Sequence, residues 1–249
     1  MAQTKERLDK LLVQKGLCET REKAQALIMA GEVYVNGKRI EKAGQKIPFD
    51  AQIEIKGKGL PFVSRGGLKL AHALKHFGID VAGLVCADIG ASTGGFTDCL
   101  LQEGAAKVYA IDVGKGQLHY KLRNDPRVVV LEGINARYLT EESLPEKVGL
   151  VTIDCSFISL TKILPAAVKI LKPEGLIIAL IKPQFEVGKG KVGKGGVVKD
   201  PKLHQEVIEK IKTFSEKELN LKTEGITESP ILGPAGNKEF LILLKKKPY

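Results

Sequence analysis

The stretch from Leu84 to Thr97, L-V-C-A-D-I-G-A-S-T-G-G-F-T, constrains the fold of this chain more than any other. An apolar run over Leu84, Val85, Cys86 and Ala87 ends in Asp88, and a loop containing Gly90, Gly94 and Gly95 follows. Phe96 to Leu101 then resumes an apolar pattern that suits a helix. Strand, glycine-rich turn and helix open a nucleotide-binding α/β unit, in which glycine lets the backbone turn sharply and a ligand lie against it. Ser92 stands where the dinucleotide fingerprint G-x-G-x-x-G has its second glycine, the one that admits a pyrophosphate. A ligand without pyrophosphate is therefore favoured. An acidic strand end beside a small polar loop suits an amino-acid-bearing nucleoside such as S-adenosylmethionine. Asp112 closes the next apolar run, Val108 to Ile111, a little over twenty residues beyond Gly90, the spacing at which a carboxylate grips ribose hydroxyls. The glycines alone fit a bare strand-to-helix turn equally well; two carboxylates at two strand ends favour the cofactor.

Beyond this loop strands and helices alternate. Strands are predicted over 128–131, 150–154 and 175–181, helices over 162–171 and 201–219, and closing strands over 221–227 and 239–244. Such alternation predicts a mostly parallel sheet covered on both faces. A further helix, on which Leu68, Leu70, Ala71, Leu74 and Phe77 share a face, precedes the glycine loop and carries Lys69 near its start. His72 and His76 stand four apart on it, but no third ligand is evident, so a solvent- or RNA-facing pair is expected and no metal.

The first quarter of the chain reads as a unit of its own. Leu8, Leu11 and Leu12, then Ala24, Leu27 and Ile28, predict two short helices, the second preceded by Thr20 and ended by Gly31. Asn36-Gly37 between Val33–Val35 and Lys38–Ile40 is a strong hairpin signal. Lys56 to Ser64 is punctuated by glycine and proline. The expected division is thus a small domain over 1–58, a linker over 59–64 and a larger domain over 65–249.

Charge points to the kind of partner. The chain carries a formal +10, and residues 1–65 hold half of that excess, with 13 Lys or Arg against 8 Asp or Glu. Scattered lysines usually mean only a solvated surface, yet an acidic partner such as nucleic acid is the other reading. Gly188 to Lys199, G-K-G-K-V-G-K-G-G-V-V-K, is either an ordinary connection or a clamp for phosphates at the carboxyl edge of the sheet. Cys18, Cys86, Cys99 and Cys155 show no C-x-x-C spacing and read as reduced thiols of a cytoplasmic protein. No signal peptide or bilayer-length apolar run is expected.

Three polar residues stand at strand ends: Asp154 closes V-T-I-D, Lys182 closes L-I-I-A-L-I-K, and Glu239 opens the last strand. A lysine ending a buried strand is costly without a partner, and Asp154 on a neighbouring strand is the natural one. The pair reads as a structural ion pair or, with Lys69 and Glu239 converging on it, as a reaction centre.

These residues also carry a resemblance. The string from Arg7 to Lys38 resembles the small RNA-binding domain of a ribosomal small-subunit protein, also present in pseudouridine synthases and a tyrosyl-tRNA synthetase. That resemblance implies RNA contact by Arg7, Lys10, Arg21, Lys23 and Lys38. Lys69, Asp154, Lys182 and Glu239 match, in order and context, the Lys-Asp-Lys-Glu tetrad of the FtsJ-like ribose 2′-O-methyltransferases. S-R-G-G-L-K-L, the glycine loop, D-C-S-F-I-S-L and I-K-P-Q-F-E resemble the TlyA-type subfamily, whose members are often labelled haemolysins. The implied fold is a Rossmann-like methyltransferase sheet with a small α+β RNA-binding domain before it. The implied activity is methylation of cytidine 2′-hydroxyls in ribosomal RNA or ribosomal subunits. Asp88, Gly90, Ser92, Gly94 and Asp112 are implied at S-adenosylmethionine, with Asn135 near its adenine and Asp154 near its methionine end. Arg65, Lys189, Lys191 and Lys194 complete the expected RNA contacts.

The tetrad suits the chemistry. A ribose hydroxyl is a poor nucleophile, and a free lysine, titrating near ~10.4, is protonated at neutrality. Desolvation and a second ammonium lower a lysine toward the ~7–8 range of a useful base. Lys182 is the preferred base, with Lys69 as the neighbouring charge and Asp154 and Glu239 orienting both amines; the carboxylates oppose the depression. Amino-group methylation would call for N/D-P-P-Y/F where this chain has Asp154-Cys155-Ser156-Phe157. Covalent C5 chemistry through Cys155 would leave both lysines without a role. A cytolysin needs a spanning or strongly amphipathic surface, which is not evident. A catalytically silent RNA-binding protein would not need the tetrad.

Overall fold

The computed structural model describes residues 5–56, 60–188, 190–233 and 235–248. Residues 57–59, within the expected end of the small domain and the start of the linker, lie outside these. By contacts the chain divides into Met1–Arg65 and Gly66–Tyr249.

In the first unit β1 (Lys5–Arg7) leads into α1 (Leu8–Gln14) and α2 (Arg21–Met29), followed by β2 (Val33–Val35), β3 (Lys38–Arg39), β4 (Lys46–Pro48) and β5 (Ile53–Ile55). Thr20 caps α2 by accepting from the Lys23 N–H; with lysine at that position the reciprocal half of a capping box is missing. Asn36 and Gly37 both take positive φ, +47° and +76°, so the β2–β3 link has the twist that two-residue hairpins require. Leu8, Leu11, Leu12, Ile28, Val33 and Ile47 are buried together as this unit's core. Composition did not signal the pairing of β1 with β4, two three-residue strands, K-E-R and K-I-P, too short and polar to show a period.

The second unit begins with α3 (Gly66–Phe77) and continues through β6 (Val85–Ile89), α4 (Gly95–Gln102), β7 (Lys107–Asp112), α5 (Tyr120–Arg123) and β8 (Val128–Glu132). It closes with β9 (Val148–Ile153), α6 (Leu160–Ile170), β10 (Leu171–Ile181), α7 (Pro183–Glu186), α8 (Pro201–Glu218), β11 (Leu221–Glu228) and β12 (Phe240–Lys246). Seven strands form one sheet in the order β11-β12-β10-β9-β6-β7-β8. The five from β10 to β8 are parallel, while β12 runs antiparallel to both its neighbours. The fold is thus a mixed α/β sheet of mostly parallel strands. Two boundaries differ from expectation for visible reasons. Helix α6 starts at Leu160 because Ser159 caps it through the Thr161 N–H, and β10 starts at Leu171 with an irregularity before Leu176, where Glu174 takes φ +57°. Among the described residues no helix is long and apolar enough to cross a membrane.

Candidate active site

Parallel strands bring their carboxyl ends to one edge, and the antiparallel β12 brings its first residue there too. Ile153 pairs with Ala179 and Ile181 pairs with Phe240, so Asp154, Lys182 and Glu239 each stand one residue beyond a strand at the same edge. Lys182 Nζ lies 2.5 Å from Asp154 Oδ1 and donates to Ser156 Oγ at 2.9 Å. Lys69, from the first turns of α3, donates to Glu239 Oε2 at 2.6 Å. Lys69, Lys182 and Glu239 are all buried. Glu239 Oε1 is shielded from solvent and has no hydrogen-bond partner among the described residues, an open acceptor beside the Lys69 pair. Two desolvated lysine–carboxylate pairs on neighbouring strand ends hold charge against a steep solvation cost.

The glycine loop sits beside them. Gly90 takes φ +83°, and a Cβ there would come within 2.5 Å of the Asp154 carbonyl oxygen, so this position requires glycine twice over. Gly94 caps α4 at φ +102°, and Ser92 takes φ +48°. Asp112 Oδ2 accepts from the Ser92 N–H and Oδ1 from the Gly114 N–H, both at 2.7 Å. Those bonds aim the Asp112 carboxylate from the end of β7 while leaving further lone pairs on each oxygen. Asn135 follows β8 and caps the short turn Ala136–Tyr138 through the Arg137 N–H. A nucleoside with a ribose diol fits this donor set: one oriented carboxylate, a glycine turn, and no second glycine for a pyrophosphate.

Asp88 is placed differently from the other cofactor candidates. It is fully buried, with Thr97 Oγ1 donating to Oδ2 at 2.8 Å and Thr152 Oγ1 to Oδ1 at 3.1 Å. Burial pushes its carboxyl up to about 7, with the hydrogen bonds from Thr97 and Thr152 opposing. It ties β6 to the start of α4 and to β9 from beneath the loop. Cys155 reads plainly as well: burial pushes its thiol up to about 12, so it is no thiolate nucleophile at neutral pH.

The candidate RNA contacts divide. Asp9, wholly buried, takes Arg7 and Arg21 at 2.9 Å each and Gln25 at 2.8 Å. The Arg7 guanidinium holds its carboxyl well below the usual carboxylate range. Both guanidiniums keep an exposed side. Lys10 and Lys38 are exposed, Lys23 pairs with Glu19, and Arg65 is half-buried. Lys191 pairs with Glu206, Lys194 opens a short turn ending at Gly196, and Lys189 lies outside the described residues. The loop from 188 to 199 is anchored at its far end: buried Asn237 donates to the Gly196 carbonyl and accepts from the Val198 N–H, both at 2.9 Å. His72 meets Thr227 Oγ1 at 3.2 Å and stacks on exposed His76; the described residues contain no cluster fit for a metal.

Reading the strand ends alone missed four participants, Ser156, Thr97, Thr152 and Phe157. Phe157 is 90% exposed at φ +64°, its ring 5.0 Å from that of Phe185. D-C-S-F-I-S-L held the signal, since it sets a large aromatic after Ser156 in the loop that leaves a strand end at the ligand edge of the sheet.

A glycine turn under two carboxylate-ended strands, beside paired lysines at the edge of a mostly parallel sheet, defines a nucleoside-cofactor α/β enzyme domain. Residues 62–246 match the FtsJ-like methyltransferase model and residues 6–53 the S4 domain model, and the chain belongs to the FtsJ-like methyltransferase family. YqxC of Bacillus subtilis, which carries an rRNA methyltransferase name, is 52% identical over 248 residues, covering 98% of this chain and 87% of the relative. The 16S/23S rRNA (cytidine-2′-O)-methyltransferase TlyA of Mycobacterium tuberculosis is 47% identical over 240 residues, 96% of this chain and 89% of that protein. A solved structure from Streptococcus thermophilus that bears a hemolysin name superposes with a TM-score of 0.78 at 46% identity, covering 99% of this chain and 90% of the other.

Proposed function

We propose that this chain methylates cytidine ribose 2′-hydroxyls in ribosomal RNA at the edge formed by Asp154, Lys182 and Glu239, using S-adenosylmethionine. The observation that carries the reading is the double pairing of Lys182 with Asp154 and Lys69 with Glu239 on adjoining strand ends beside the Asp112 carboxylate. When bound, S-adenosylmethionine supplies a sulfonium methyl group. Asp112 holds the ribose diol, Gly90, Ser92 and Gly94 line the turn, Asn135 stands toward the adenine and Asp154 toward the methionine end. Asp88 supports the turn from inside. Lys182, as the unprotonated amine, takes the 2′-hydroxyl proton at Nζ, and the Lys69 ammonium steadies the developing alkoxide. Asp154 and Ser156 aim Lys182, as Glu239 aims Lys69. Phe157 offers an exposed ring on which an unstacked base can lie. Residues 1–58 supply RNA affinity through Arg7, Lys10, Arg21, Lys23 and Lys38, with Arg65, Lys189, Lys191 and Lys194 adding phosphate contacts, and 59–64 joins them to the domain from 65 onward.

The experiment is direct: incubate the protein and labelled S-adenosylmethionine with ribosomal RNA and with isolated ribosomal subunits, then map the modified nucleotide. A 2′-O-methylcytidine supports the reading, and that substrate places the protein in the cytoplasm. Label on a base amine or ring carbon, or none, refutes it. The hemolysin names favour a second test: purified protein should leave liposomes intact.

A further inference from the structure

The motif I-K-P-Q-F-E ends in Glu186, which the proposed chemistry leaves without a task. Its side chain is 1% exposed. Oε1 accepts from the Leu160 N–H at 2.6 Å, and Oε2 accepts from Ser159 Oγ at 2.6 Å and from Lys210 Nζ at 3.2 Å. Lys210, reaching in from α8, also donates to the Glu186 carbonyl at 2.9 Å. A buried carboxylate filled this completely is costly unless every contact is kept, so the contacts fix one geometry.

What they fix is the reaction edge. Segment 154–160 carries Asp154, Ser156 and Phe157; segment 182–186 carries Lys182. At one end the two are joined by Lys182 to Asp154 and Ser156, at the other by Glu186 to Ser159 and Leu160. Phe157 and Phe185 meet between. Lys182 and Glu186 stand four positions apart, across the single turn of α7, so the latch at Glu186 sets where Lys182 Nζ stands relative to Ser156. On the reading of Lys182 as base, we infer that Glu186 is a positioning residue: it locks the two reaction-edge loops together and aims Lys182 without touching substrate or cofactor.

The full-length protein tests this with Glu186→Gln, Glu186→Ala and Ser159→Ala. Gln keeps an acceptor for the Leu160 N–H and loses the Lys210 pair, so its fold should survive. Expected are kcat losses of about 10-fold for Gln and nearer 100-fold for Ala, with KM for S-adenosylmethionine and RNA within about twofold of the parent. Amide exchange, which needs neither substrate, should rise in 154–160 and 182–187 together and stay unchanged in 85–112. Should Glu186→Ala fail to fold, Glu186→Gln and Ser159→Ala give the same paired signature at smaller size. Exchange that rises in only one segment, or activity lost through KM alone, overturns the latch. Paired exchange in the variants, with a parent protein that does not methylate ribosomal RNA, overturns the proposed function and leaves the latch standing.

Discussion

Asp88→Asn should stabilise this protein at alkaline pH, and the size of the effect follows from where Asp88 sits. The carboxyl is fully buried, and that burial pushes it from the ordinary 3.8 to about 7. The folded state therefore holds the proton more tightly than the unfolded state. Stability from this group is fully present below pH 3.8 and is lost as pH rises to about 7. At ~1.36 kcal/mol per tenfold step the full loss is about 4 kcal/mol, of which about 2 to 3 kcal/mol falls between pH 5 and pH 8. Asparagine has nearly the same shape and does not ionise. Its carbonyl can keep the Thr97 bond, while its amide donates to a rotated Thr152 hydroxyl. Urea unfolding of parent and variant, followed by circular dichroism through the transition of the larger unit, should show the variant gaining about 2 to 3 kcal/mol on the parent from pH 5 to pH 8. A difference that stays constant across that range would refute the argument. Cofactor affinity should change less than about threefold, since the carboxylate faces Thr97 and Thr152 and is closed to solvent.

Lys182→Ala and Lys182→Arg should both lose methyl transfer by at least about 100-fold with cofactor affinity retained, because guanidinium keeps the charge but does not yield its proton; substantial single-turnover activity in the Arg variant moves the base elsewhere. Asp112→Ala should weaken S-adenosylmethionine binding by about tenfold or more in calorimetry, through loss of charge-assisted hydrogen bonds to the ribose. Asn237→Ala should free residues 188–196 for limited proteolysis and raise the KM for RNA several-fold with cofactor affinity unchanged; a protease-resistant variant would mean that Asn237 does not hold the loop.

Sequence alone reached the sheet, the glycine turn and the pairing of Lys182 with Asp154, because each rests on a local rule: apolar runs ending in a charge, glycine where φ is positive, and a buried lysine that needs a counterion. The inward aim of Asp88 was not legible. Its partners Thr97 and Thr152 lie 9 and 64 residues away, and a strand-end carboxylate looks the same in sequence whichever way its side chain points. The Asp9 cluster was hidden for the same reason: the resemblance implies RNA contact by Arg7 and Arg21, and only the fold shows that one buried carboxylate orients both. The role of Glu186 is equally invisible in its motif, since nothing local says that its carboxylate meets the start of a helix 26 residues earlier.

The reversed strand explains why the site is where it is. Lys182 and Glu239 lie far apart in the chain, yet Ile181 and Phe240, their immediate neighbours, are register partners. That holds only because β12 runs against β10. A parallel strand of the same seven residues would put its first residue about 20 Å away, at the opposite edge of the sheet. Glu239 would then be unable to meet Lys69, which α3 delivers to the carboxyl edge. The antiparallel ending of an otherwise parallel sheet is thus a requirement of the two-pair site. The loop from 229 to 239 must return to that edge, where Asn237, two residues before Glu239, fastens it to the basic loop. Any change that lets this loop drift should therefore disturb the Lys69 pair and the basic loop together, although neither is altered itself.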